Sequence, residues 1–181
     1  SVLSQKYPTV VGEENLDPTF RIPQTILATK PWHKYLILEY GVEHPNDMDH
    51  YLEITKPKIG VMTLLSPEHT KYFSDMDGVI KEESKLVYSL PKSGYAILNA
   101  DDEDILNMKT KTRAQVVTCG FLKGVVVRAT NIDEFFSFEG GRGMIRENFG
   151  INFKLNYGGS FVPVKMRGVL GGAQVRAALS A

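Results

Sequence analysis

Apolar and polar positions follow one another in blocks over the first two thirds of the chain. Compact apolar runs of the kind that form buried strands end on polar residues at 35–39, 59–63, 96–99 and 116–119, after a shorter run at 9–11. Amphipathic stretches around them predict helices at 23–29, 47–54 and 75–90. Strands that alternate with helices favour a parallel sheet built from βαβ units. The pattern therefore predicts an α/β fold with a mostly parallel sheet and flanking helices.

A different pattern begins after residue 122. Residues 125–130 and 151–157 alternate with period two, which is typical of antiparallel strands with one buried face. Gly158 and Gly159 join the second of these runs to residues 160–166 and predict a tight hairpin. We therefore expect a single unit with an α/β part over 1–122, an antiparallel section over 123–169 and the start of a terminal helix at 170–181.

The composition bears on the partners and the cellular compartment of the chain, and it says little about the reaction. The 21 basic and 21 acidic residues balance, which favours neither nucleic acid nor an anionic membrane as a partner. No apolar run approaches the roughly 20 residues of a membrane span, and the first residues lack a signal pattern. A single cysteine, Cys119, rules out an internal disulfide and suits a reducing cytoplasm. Residues 2–5 look like the end of a helix, so we expect a preceding segment to be missing.

Polar side chains that could carry chemistry follow three of the predicted strands. Glu39 ends the first, His69 follows the second, and Asn99 and Asp101 follow the third. Open α/β sheets bind ligands at the carboxyl ends of their strands. A carboxylate and an imidazole there could hold Mg²⁺, or they could simply be solvated. The block at 99–102 either borders a nucleotide site or caps the next helix.

These blocks, taken in order, resemble the central domain of the Mur ligases. The family's E-x-G block and the acidic loop after it resemble residues 39–47, its T-N-x…H block resembles 63–69, and its N-A-D block resembles 99–102. Upstream, the segment at 15–23 resembles the family's N-x-N-x-x-G-x-P, and downstream 171–174 resembles its G-x-H-N. The resemblance covers essentially the whole chain.

The resemblance implies ATP-dependent amide-bond formation in the synthesis of peptidoglycan precursors. In such ligases ATP phosphorylates a carboxylate, and an amine then displaces phosphate from the acyl phosphate. By similarity, Glu39 and His69 would hold Mg²⁺. The other implied residues are Asn15 and Asp17 near a UDP-linked muramoyl peptide, and Asn99, Asp101 and Gln174 near the nucleotide.

Several positions depart from the family. By the resemblance, Glu83 stands where the family has a catalytic lysine that becomes carbamoylated, and its carboxylate could mimic that group; in another register Lys81 or Lys85 would take this position. Leu64 replaces an asparagine, while Ala173 and Gln174 replace a histidine and an asparagine. No G-x-x-x-x-G-K-[ST] loop occurs, so the usual cradle for nucleotide phosphates is absent. We therefore expect the chain to be inactive alone. ATP and Mg²⁺ are cofactors of the parent family, and this chain alone could need neither.

Two other functions fit these departures. One is a non-catalytic binding or interaction domain derived from the Mur ligase fold, which the substitutions favour. The other is a fragment of a ligase similar to folylpolyglutamate or cyanophycin synthetase. In the family the strand before the phosphate loop lies inside the sheet, so its loss would leave two unpaired strand edges. We expect the gap to be closed by rearrangement, by a segment of this chain or by strand exchange in a homodimer.

Overall fold

The computed structural model describes residues 2–12, 17–67, 72–139 and 146–181. Its helices are α1 (Pro18–Ala28), α2 (Asp47–Ile54), α3 (Met76–Ser89), α4 (Glu103–Asn107) and α5 (Gly172–Ser180). Its strands are β1 (Thr9–Val11), β2 (Tyr35–Ile37), β3 (Ile59–Met62), β4 (Tyr95–Asn99), β5 (Gln115–Gly120), β6 (Val127–Glu139), β7 (Arg146–Tyr157) and β8 (Ser160–Arg167). Among the described helices, none is long and apolar enough to cross a bilayer.

Six strands form one mixed sheet in the order β3-β4-β5-β6-β7-β8. The pairs from β3 to β6 are parallel, and β6, β7 and β8 pair antiparallel. Gly158 and Gly159 both have positive φ and form the turn between β7 and β8, because glycine adopts this conformation without strain. The predicted α/β fold with an antiparallel section in the C-terminal third is confirmed.

Two apolar clusters hold helices against the large sheet. The first joins β3 and β4 to α3 and α4 and includes Met62, Leu98, Val87 and Ile105, all buried. The second joins β5, β6 and β7 to α5 and includes Cys119, Ala129, Ile151, Phe153 and Val175. Each buried aliphatic side chain contributes roughly 1.5–3 kcal/mol relative to an exposed one. The helices therefore fix the strand ends at which ligand-binding residues were expected.

The first two strands stand apart from this sheet. β1 and β2 pair in parallel with each other, and in the described ranges β2 and β3 share no ladder. Apolar side chains stay partly exposed on β2 and β3. The exposed fraction is 37% for Leu36 of β2, and 47% for Ile59 and 40% for Val61 of β3. No described segment fills the expected gap. Strand exchange between two copies of the chain stays a prediction.

Two elements differ from the sequence-based prediction. The first helix begins at Pro18, not at residue 23, because the Asp17 side chain accepts a hydrogen bond from the Thr19 amide and Pro18 occupies the first turn. Pro23 lies inside that helix. β6 runs on to Glu139, past a bulge at residues 130–133 that interrupts the period-two pattern.

Candidate functional site

The carboxyl ends of β3, β4 and β5 lie side by side at one edge of the sheet. Met62 pairs with Leu98, and Asn99 pairs with Cys119, so the loops that begin at residues 63, 100 and 121 leave neighbouring strands together. This is the edge at which open α/β sheets bind ligands. The sequence-based placement of the candidate residues at this edge therefore holds for the third predicted block, at residues 99–102.

Asn99 is buried at this edge and ties two strand ends together. Its Nδ2 donates to the Thr63 carbonyl oxygen over 2.8 Å, and its Oδ1 accepts from the Asp101 amide over 3.1 Å. Only 1% of the residue is exposed. Both ends of the amide thus satisfy backbone groups in the loops that follow β3 and β4. Contact with a nucleotide stays a prediction for this residue.

Asp101 joins three parts of the chain. Its Oδ1 accepts from the amides of Phe121 (2.8 Å) and Leu122 (3.3 Å), and its Oδ2 accepts from Arg176 Nε (2.9 Å) on α5. The Arg176 guanidinium also lies 4.4 Å from the Phe121 ring centroid. The Asp101 side chain is 9% exposed. These contacts give Asp101 a structural role. Its predicted position near a nucleotide stays a prediction.

Gly120, at the end of β5, makes room for the Asp101 carboxylate. Its φ of +150° is rare for residues with a side chain, and an added Cβ would stand 2.7 Å from Asp101 Oδ1. Beside this group, Asp102 Oδ1 accepts from the amides of Asp104 and Ile105 at the start of α4. Of the two alternatives for residues 99–102, the helix cap is confirmed.

Glu39 lies after β2 and faces solvent. Its side chain is 79% exposed and forms an ion pair of 3.1 Å with Arg21 of α1, whose Nη2 also donates to the Glu39 carbonyl oxygen. Only the Glu39 end of this pair is open to water, because the Arg21 side chain is 11% exposed. Glu39 stays a candidate ligand, and a metal ion bound there would leave the largely buried Arg21 side chain without its carboxylate partner.

The partner predicted for Glu39 cannot be placed. His69 lies outside the described residues, and so does Asn15. Within the described ranges, no three His, Cys, Asp or Glu side chains converge on a point that could hold a metal ion. The described residues thus do not fit a complete Mg²⁺ site, and of the two predicted metal ligands they include Glu39 alone.

The remaining exposed candidates lie at helix starts. Asp17 caps α1, and its hydrogen bonds from the side chain and backbone of Thr19 hold the pKa of its carboxyl below the usual range. Gln174 lies exposed in the first turn of α5, beside the exposed Ala173. Each side chain could contact a ligand from its helix terminus, and both assignments stay predictions.

Glu83 lies on α3 and is partly buried. Burial, and next the neighbouring carboxylate of Glu82, raise the pKa of Glu83 to about 7. Protonated and ionised forms of this carboxyl therefore coexist near neutral pH. A side chain in this state offers a metal less negative charge than a fully ionised carboxylate. Its equivalence to the carbamoylated lysine remains a prediction.

Sequence reasoning missed the ionic group that surrounds Glu82. This buried carboxylate accepts from the Met48 amide (3.1 Å) at the start of α2 and pairs with Lys85 Nζ (2.7 Å), which also contacts Asp49 Oδ2 (2.5 Å). The contacts hold α3 against the N-terminus of α2. The i, i+3 spacing of Glu82 and Lys85 was a usable signal. No local sequence pattern predicted the ion pairs that Arg21 forms with Glu39 and Arg176 forms with Asp101.

Comparison with known proteins fixes the family. Residues 2–162 match the family model of the Mur ligase middle domain. The chain belongs to the Mur ligase family. The predicted family is confirmed.

Two curated proteins add a narrower likeness. The chain is 30% identical over 110 residues to UDP-N-acetylmuramoyl-tripeptide–D-alanyl-D-alanine ligase of Escherichia coli K12, a match that covers 61% of this chain and 24% of the relative. It is 29% identical over 133 residues to the enzyme of the same name from Buchnera aphidicola, covering 73% of this chain and 29% of the relative. The matches thus span about a quarter of these relatives' length.

Solved structures show the same fold. MurF from Acinetobacter baumannii superimposes with a TM-score of 0.83 at 21% identity, covering 99% of this chain and 36% of that one. MurF from Thermotoga maritima in complex with ADP gives a TM-score of 0.78 at 17% identity, covering 98% of this chain and 38% of that one. At these identities the likeness establishes the fold alone.

Proposed function

We propose that this domain is the ATP-binding central domain of a cytoplasmic ligase that joins D-alanyl-D-alanine to a UDP-linked muramoyl tripeptide. The match of residues 2–162 to the Mur ligase middle domain carries the proposal. ATP and Mg²⁺ would be the cofactors. Glu39 at the end of β2 and Gln174 at the start of α5 are the exposed side chains that we assign to the metal and nucleotide. The curated relatives favour this role over a folylpolyglutamate- or cyanophycin-type ligase.

We also propose that the 181 residues do not turn over alone. They contain no phosphate loop, and the described residues include no metal cluster. The phosphate cradle would come from polypeptide outside these residues. The unpaired edges of β2 and β3 would accept an added strand, either from such polypeptide or from a second copy of this domain in a homodimer.

Calorimetric titration with ATP tests the second statement. We expect no saturable heat at millimolar ATP, with or without Mg²⁺, from protein whose circular dichroism shows it to be folded. Ligation of D-alanyl-D-alanine, followed by phosphate release, should also be absent. Saturable, Mg²⁺-dependent binding would contradict the proposed dependence on other polypeptide, because it would require a complete phosphate site within this chain.

A non-catalytic interaction domain is the second candidate. Two observations favour it. Arg21 forms an ion pair with the Glu39 carboxylate, and burial raises the pKa of Glu83 to about 7. Under this alternative the Glu39→Gln variant should leave every function of the full protein unchanged. Under the ligase proposal the same variant, placed in a complete ligase, should lower the ligation rate at least tenfold. Glu53→Gln on the exposed side of α2 is the matched control.

A further inference from the structure

We draw no further inference here: the strongest candidate, the two-stranded arm in which β6 and β7 run on past β5 and β8 and carry the exposed Phe136 stacked on Phe149, is an apolar surface for which nothing in the described part of the chain shows what covers it.

Discussion

Replacing Asp101 distinguishes a structural carboxylate from a ligand-binding one. Asp101→Ala removes the acceptor for the amides of Phe121 and Leu122 and for Arg176 Nε. Hydrogen bonds to a charged group contribute about 1.5–3 kcal/mol each, and these three will not add fully. The Leu122 amide and a third of the Arg176 side chain can reach water. We therefore expect the free energy of unfolding to fall by about 3 kcal/mol.

Urea unfolding at pH 7, followed by circular dichroism, measures this change. Asp101→Asn should cost less than Asp101→Ala, because its oxygen can still accept from the Phe121 amide while its amino group faces Arg176. Asp104→Asn, which changes an exposed acid at the second position of α4, is the matched control and should cost about 0.5 kcal/mol or less. A double-mutant cycle with Arg176→Met should give a coupling of about 1 kcal/mol or more.

A cost below about 1 kcal/mol for Asp101→Ala would refute the structural role. The three donors would then have other partners in solution, and the carboxylate would be available to a ligand. Loss of nucleotide affinity in the full ligase, without loss of stability, would assign Asp101 to the nucleotide site as the family resemblance implies. The two outcomes are separable, since one is measured without any ligand.

Three further variants test other parts of the account. Gly120→Ala should destabilise the domain by about 1–3 kcal/mol in the same urea assay, because of the φ of +150° and the Asp101 oxygen 2.7 Å from the new Cβ. The raised pKa of Glu83, about 7, means that the folded state binds this proton more tightly than the unfolded state. Stability should thus fall by up to about 3 kcal/mol as pH rises from 4.5 through 7, and Glu83→Gln should remove that fall; an unchanged pH profile would contradict the burial of Glu83. Cys119, whose thiol pKa is raised by burial, should react with iodoacetamide only after urea unfolding, and rapid labelling of native protein would show that β5 is exposed.

The parallel strands could be located from the sequence because their side chains are apolar in short runs. The predicted strands 96–99 and 116–119 lie within β4 and β5, which extend one residue further at one or both ends. The predicted helix 47–54 matches α2. Burial on both sides of a central strand leaves a continuous apolar run, and this signal needs no knowledge of the partner strand.

The start of α1 was missed although its signals were present. Asp17 followed by Pro18 is a favourable N-cap and first-turn pair. The polar residues around it favoured a turn, and Pro23 favoured a helix that begins there, because proline is tolerated in the first turn of a helix. The five-residue start of the helix was therefore assigned to a loop. Tertiary contacts such as the pair of Arg21 with Glu39 favour the longer helix.

The candidate site could be predicted only as a list of residues at strand ends. The contact between Asp101 and Arg176 joins positions 75 residues apart, and nothing in the local sequence specifies it. Glu82 and Glu83 are adjacent acids on one helix, and their identity does not reveal which is buried against Lys85. Geometry decides whether a polar group at a strand end is satisfied by the backbone or is open to a ligand.

The central claim is that this domain serves a MurF-type ligase, and a hybrid enzyme tests it most directly. Residues 2–162 would replace the matching region of the Escherichia coli relative, which supplies the rest of its own chain. The measurement is the rate of phosphate release with ATP, Mg²⁺, D-alanyl-D-alanine and the UDP-linked tripeptide, on hybrid protein shown to be folded by calorimetry. The account predicts ligation that falls at least tenfold with Glu39→Gln and not with Glu53→Gln. A folded hybrid without ligation, or one indifferent to Glu39, would contradict it.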